Sequence, residues 1–145
     1  MRLIVQRVRS ASVKVDGKVI GEIGSGLMTL VGFTHSDTPD TVKYLADRSV
    51  KLRIFEDENG KMNRSLLDVN GAMLIVSQFT LYGDTVHGRR PGFDAAAKPE
   101  QATKLYEQFI EEVKAFGVET ATGEFGADML VTLENDGPVT FTLEK

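Results

Sequence analysis

The sequence of 145 residues predicts an α+β fold, in which mainly antiparallel strands curl into a barrel- or sandwich-like sheet and two helices cover one side. Three observations carry that prediction. About eight segments show the alternation or β-branched enrichment of strands, and only two show helical spacing. The two helices do not alternate with the strands as repeated βαβ units would require. Nor does any linker, repeat or change of composition divide the chain, so one domain spans residues 1–145.

Residues 2–9 and 11–15 alternate as strands, and Asp16-Gly17 then separates SVKV from KVIGEI. That dipeptide signals a hairpin, because glycine tolerates the positive φ of a type I′ turn. After GSG, residues 27–34 read as another strand. Thr38-Pro39 opens a helix: Thr38 can cap it, and the fixed φ of Pro39 suits the first helical position. Val42, Leu45, Ala46, Ser49 and Val50 follow at helical spacing and form one face. LRIFEDENGKMN returns to a strand and a polar turn, Asn70-Gly71 marks a further turn, and a long strand is expected from Ala72 to Tyr82. Residues 83–98 form a loop, long enough that function or disorder is the usual reason. Pro99 starts a second helix whose stripe of Ala102, Leu105, Tyr106, Phe109, Ile110, Val113 and Phe116 is core, with Gly117 placed to end it. Strands near 118–125, 127–134 and 138–144 complete the chain.

Composition narrows the function. With no cysteine, neither disulfides nor thiolate metal sites exist. His35 and His87 lack partners at metal-ligand spacing, and Gly24-Ser25-Gly26 lies between strands, so neither a metal nor a cofactor is expected. The weakly polar run Gly26–Phe33 is too short to span a bilayer, and the N-terminal residues lack a secretory pattern. The expectation is a soluble cytoplasmic protein with no membrane partner. Seventeen basic against 21 acidic residues give a net charge of −4. That balance argues against a DNA partner and confines any RNA contact to local patches, such as Arg2, Arg7 and Arg9 or the HGRRPG segment at 87–92.

The stretch LIVSQFTLYGD begins as a buried strand and then places Ser77, Gln78 and Thr80 among apolar residues. Period-two alternation puts Ser77, Phe79 and Leu81 on one face and Gln78, Thr80 and Tyr82 on the other. A polar sheet surface accounts for Gln78 and Thr80, but less well for Ser77, which shares its face with Phe79. A Thr80 nucleophile would need a base within hydrogen-bond reach, and the nearest candidate downstream is a loop histidine. Gly137-Pro138 reads as a turn before the terminal strand, and its peptide bond is open to either isomer.

SQFTLYGD at 77–84 together with NDGPVT at 135–140 resembles the motif pair of the D-aminoacyl-tRNA deacylases, also called D-tyrosyl-tRNA(Tyr) deacylases. The resemblance extends through MRLIVQRV, SVKVDGKVIGEIGSGL, LRIFEDENGKMN, GRRPGF and FGADM, and so over essentially the whole chain. It implies a homodimeric hydrolase that cleaves the ester between a D-amino acid, or glycine, and the 3′-terminal adenosine of tRNA. L-Aminoacyl-tRNA is rejected, which makes the reaction a chiral proofreading step in translation. By the same resemblance Ser77, Gln78, Phe79 and Thr80 form the catalytic wall. Gly137 and Pro138, a cis pair in the family, enter from the partner subunit as a chiral filter. Arg7 buttresses that pair, Phe125 and Met129 line the adenosine site, and Arg89 and Arg90 are candidate tRNA contacts. His87, Gly92 and Asp94 depart from the residues usual in that loop.

The chemistry agrees with a missing triad. An aminoacyl ester is already activated and has a ribose hydroxyl beside it, so positioning alone can supply up to roughly 7–11 kcal/mol of the barrier. Backbone N–H groups around Phe79 and Thr80 would hold the oxyanion. A Gly137-Pro138 backbone would clash with an L side chain, a filter that works by rejection. The alternative is a non-catalytic module for single-stranded RNA or tRNA ends, stacking bases on Phe79 and Tyr82. A third reading is a serine or threonine hydrolase of small esters.

Overall fold

In the computed structural model, which describes residues 1–145, β1 (Arg2–Val15) runs as a single strand through Ser10. Asp16 (φ 50°) and Gly17 (φ 76°) turn it into β2 (Lys18–Ile23), the hairpin expected from the sequence. β3 (Gly26–Gly32) pairs antiparallel with β1 from Arg2 to Val8. The remaining members of the main sheet are β6 (Ala72–Ser77), β7 (Thr120–Thr122) and β8 (Leu130–Glu144). The path runs β2-β1-β3-β6-β7, with β8 laid antiparallel along β1. Between them, β4 (Phe55–Glu56) and β5 (Met62–Arg64) form a small separate hairpin.

Most pairings are antiparallel, but β3/β6 and β6/β7 are parallel. Parallel neighbours need long crossovers, and the two helices lie within these. α1 (Pro39–Lys51) lies between β3 and β6, and α2 (Pro99–Ala115) between β6 and β7. The sheet then curls until β2 approaches β7. A Cβ on Gly21 would lie 2.7 Å from the Thr122 carbonyl oxygen, so glycine lets the two strands close the wall into a near barrel.

Both helices begin where the sequence places them. Thr38 and Thr41 cap α1 reciprocally: the Thr41 N–H donates to Thr38 Oγ1 and the Thr38 N–H to Thr41 Oγ1, each at 3.4 Å. Val42, Leu45, Ala46, Ser49 and Val50 are buried as the spacing predicts. In α2, Ala102, Leu105, Tyr106, Phe109 and Val113 are buried, and the Tyr106 hydroxyl donates to the Ile75 carbonyl at 2.8 Å. Met73 and Ile75 join the large core beneath the helices, while Ala72, Leu74 and Val76 join a second core with Val8, Val13 and Met28. Burial of β6 on both faces explains its unbroken apolar run.

Two expectations fail. The strand expected over Ala72–Tyr82 stops at Ser77, and Phe79–Tyr82 form a 3₁₀ turn. In the C-terminal region, β7 is only three residues, and 130–144 is one strand that passes through Gly137-Pro138. Asn135 pairs with Val8 and Thr140 with Gln6, so residues 136–139 bulge out of the ladder, and the Gly137-Pro138 bond is cis. No helix is long and apolar enough to cross a membrane.

Candidate active site

The end of β6 becomes one wall of a cleft of about 660 Å³. Its partner strand β3 ends at Gly32, and the Gln78 N–H makes a last bond to the Val31 carbonyl at 2.8 Å. With no strand left to pair, the chain turns. The Leu81 N–H then bonds the Gln78 carbonyl at 3.3 Å and the Gly83 N–H bonds the Thr80 carbonyl at 2.9 Å. This turn rests on Gly32, where a Cβ would lie 2.9 Å from both the Gln78 oxygen and Leu81 Cβ. Arg2 clamps its far end by donating to the Leu81 carbonyl and lying 4.8 Å from the Tyr82 ring centre. Burial, with smaller effects from Asp37 and Glu144, pushes the Tyr82 phenol up to about 12.

The N–H groups of Phe79 and Thr80, the first of the turn, donate to nothing within the chain. Ser77, Gln78 and Phe79 all line the cleft, whereas strand alternation would have separated Ser77 from Gln78. Thr80 does not line it: its hydroxyl accepts from Gln78 Nε2 at 2.5 Å. Neither Ser77 nor Thr80 is hydrogen-bonded to a histidine, lysine or carboxylate. His87 instead places Nδ1 3.1 Å from Asp84 Oδ2, and the Val86 N–H, followed by His87, holds the Asp84 carboxyl below its usual range. A nucleophile–base pair is therefore not assembled here.

Phe125 and Met129 stand in the same cleft, with Gly126, Ala127 and Asp128 between them. Phe125 packs against Tyr106, ring centres 5.8 Å apart. Val31, Phe33 and Val76 also line the cleft. Sequence reasoning missed Phe93 and Lys98 and took Ala102 for core alone; Ala102 is both buried and cleft-lining. An alanine among the bulky residues of that stripe was the one available signal. No three His, Cys, Asp or Glu side chains gather into a metal-binding group.

The remaining residues lie elsewhere in the chain. Gly137 and Pro138 are exposed on the β8 bulge and do not line this cleft. Arg7 is buried beside them: Nη1 donates to the Ile54 carbonyl at 2.6 Å, Nε to the Asp136 carbonyl at 3.3 Å, and Nε lies 3.2 Å from Asp136 Oδ2. The Val139 N–H bonds Asn135 Oδ1 at 3.1 Å, which ties the bulge to its own strand. Arg89 and Arg90 are exposed in a loop closed by two Asp84–Gly92 backbone bonds of 2.7 and 2.9 Å.

Fold and cleft together define a small α+β protein with one largely apolar cleft at the end of β6, bordered by the unpaired N–H groups of a 3₁₀ turn. Residues 4–144 match the family model described as D-Tyr-tRNA(Tyr) deacylase, and the chain belongs to that family. It is 60% identical to a D-aminoacyl-tRNA deacylase of Bacillus licheniformis, over 99% of this chain and 98% of that one. With a D-aminoacyl-tRNA deacylase of Thermosipho africanus the identity is 54%, over 99% and 97%. Among solved structures, one described as c-Myc DNA Unwinding Element Binding Protein superposes with TM-score 0.94 at 40% identity, covering 100% of this chain and 99% of its own. A probable eukaryotic D-amino acid tRNA deacylase, 21% identical, shares the fold at TM-score 0.84 over 98% and 97%.

Proposed function

We propose that this chain hydrolyses the ester joining a D-amino acid, or glycine, to the 3′-terminal adenosine of tRNA, rejects the L-aminoacyl ester, and so proofreads chirality in translation in the cytoplasm. The observation that carries the reading is the 3₁₀ turn, whose first two N–H groups, on Phe79 and Thr80, are unpaired beside a cleft with no nucleophile–base pair. Donors of that kind, fixed before the substrate arrives, stabilise an oxyanion where charge develops, and removing one such donor in other enzymes costs about 2.7–4 kcal/mol. Water then supplies the attacking oxygen, oriented by the vicinal ribose hydroxyl; its oxygen bonds the ester carbon, the bond to the terminal ribose oxygen breaks, and that oxygen leaves with the proton given up by the water. Ser77 and Gln78 orient the ester, and Gln78 is itself held by Thr80. Phe125 and Met129 enclose the adenosine.

The chiral filter in this reading is the Gly137-Pro138 backbone of a second copy, inserted into the cleft and braced by Arg7 of its own chain. Specificity follows from a clash with L side chains, so D substrates of different sizes pass. Arg89 and Arg90 face the acceptor end.

The test is ester loss from matched D-Tyr-tRNA and L-Tyr-tRNA with a chelator present. Cleavage of the D ester alone is expected. In Thr80→Ala, which removes one side-chain hydrogen bond, kcat is expected to fall by about 3- to 10-fold. Total loss of turnover with tRNA binding intact would instead make Thr80 a nucleophile. Binding of the tRNA end with neither ester cut would make the protein a binding module.

A further inference from the structure

Two aromatic rings at the cleft take no part in the chemistry above. Phe79 is 58% exposed and Phe93 39%, yet they meet edge to face with ring centres 5.0 Å apart and planes at 63°. Both line the cleft, and Phe93 also packs against Gly83, where a Cβ would lie 3.3 Å from its ring. Its backbone is fixed as well, since the Phe93 carbonyl accepts from the Ala96 N–H at 3.1 Å. Such a pair held in place at the mouth of a site is an anchor for a ligand ring more than a chance surface patch.

Beyond the rings the chain leaves through Gly83 and returns through Gly92, closed by the Asp84–Gly92 bonds. This loop carries Arg89 and Arg90, and neither forms an ion pair within the chain. The Asp84 carboxylate at its base is engaged by the Val86 N–H at 2.8 Å and by His87. The loop that closes beside the aromatic pair therefore carries two exposed guanidinium groups without an ion-pair partner, on a molecule whose net charge is −4. Aromatic faces beside a local positive strip are what single-stranded nucleic acid binds.

The cleft volume of about 660 Å³ is of the size that encloses one small ligand, here an aminoacyl-nucleoside. The next nucleotide must lie over the rim. We propose that Phe79 and Phe93 form a stacking platform for the base immediately 5′ of the terminal adenosine, with its phosphates directed to Arg89 and Arg90, so that the protein grips an unpaired RNA 3′ end and not a single nucleoside. This rests on the hydrolase reading, which seats the ester in the cleft. Stacking tolerates any base, and guanidinium groups bind phosphate through paired hydrogen bonds, so the platform recognises a free end without reading its sequence.

The test compares two esters, D-tyrosyl adenosine and the D-tyrosyl trinucleotide cytidylyl-cytidylyl-adenosine, by the ratio of their kcat/KM values, which cancels losses common to both. The wild type is expected to prefer the trinucleotide by at least about tenfold, and Phe93→Ala to lower that preference roughly tenfold, with Phe93→Trp restoring it. Paired Arg89→Ala and Arg90→Ala changes are expected to lower it too and to flatten the salt dependence of trinucleotide binding. The same ratio in wild type and Phe93→Ala, or no wild-type preference, would overturn the platform. If the wild type cuts neither ester, the hydrolase reading falls by itself, and calorimetry with uncharged trinucleotide and adenosine decides. Tighter trinucleotide binding that Phe93→Ala weakens supports the platform, and equal binding of the two refutes it.

Discussion

Thr29 has the one buried side-chain polar atom without a hydrogen-bond partner. It lies in β3, opposite Val5 and Ile75, in register with Leu27 and Val31 on the same face. An unpaired buried hydroxyl costs about 1–3 kcal/mol, and valine has the same shape without it. Thr29→Val is expected to stabilise the protein by about 1 kcal/mol, read as a higher urea midpoint at unchanged m-value; a lower midpoint would mean that the hydroxyl has work to do. Single residues differ in how openly the sequence declares them. Ser77 and Gln78 were legible because they interrupt an apolar run, a local signal. Charge alone places Arg7 in a surface patch with Arg2 and Arg9, yet it is buried, and its bracing role came only through the family resemblance, for no pattern marks an arginine whose partners, Ile54 and Asp136, are distant in sequence. Phe93 and Lys98 reach the cleft only once the chain has folded, and their neighbours in sequence say nothing of it.

Among elements, the 3₁₀ turn depends most on its neighbours. Because it rests on Gly32, Gly32→Ala places a methyl group 2.9 Å from the Gln78 carbonyl and from Leu81, and the turn must shift. Overpacking of this kind costs about 1–3 kcal/mol. The expected outcome is a thermal midpoint lower by several degrees and a kcat on D-Tyr-tRNA reduced at least tenfold, since the two free N–H groups move with the turn. Full kcat in a folded Gly32→Ala protein would disconnect the turn from the chemistry. The same dependence explains why the turn was read as strand. The alternation of LIVSQFTLY continues past Ser77, but a ladder is only as long as its partner, and β3 ends at Gly32. In the opposite sense, Gly137-Pro138 looked like a strand boundary, and pairing with β1 on both sides carries β8 through it. The helices needed no such context. Thr38 and Pro39 and the spacing from Val42 to Val50 are local, and α1 follows them.

On the scale of the molecule, the cleft and the Gly137-Pro138 bulge are two separate places on one chain. If a working site combines the cleft of one copy with the bulge of another, the species in solution has twice the 15.9 kDa chain mass. Complementation tests this directly. A Gly32→Ala chain and a chain with Gly137→Ala and Pro138→Ala should each be nearly inactive, yet refolding them together should recover roughly a quarter of wild-type activity, because each mixed dimer holds one undamaged site. No recovery would assign cleft and bulge to separate tasks. The long pairing of β1 with β8 has a bearing on biosynthesis. Strand β1 is matched, from Arg2 to Lys14, with β8, which is made only after every other strand of the sheet. At about 5–20 residues per second, β1 waits for many seconds with that edge open. Closing so large a loop is slow, and an unpaired edge invites the wrong neighbour in the meantime. Emergence of β8, more than of any segment before it, is thus the event that lets this sheet finish folding.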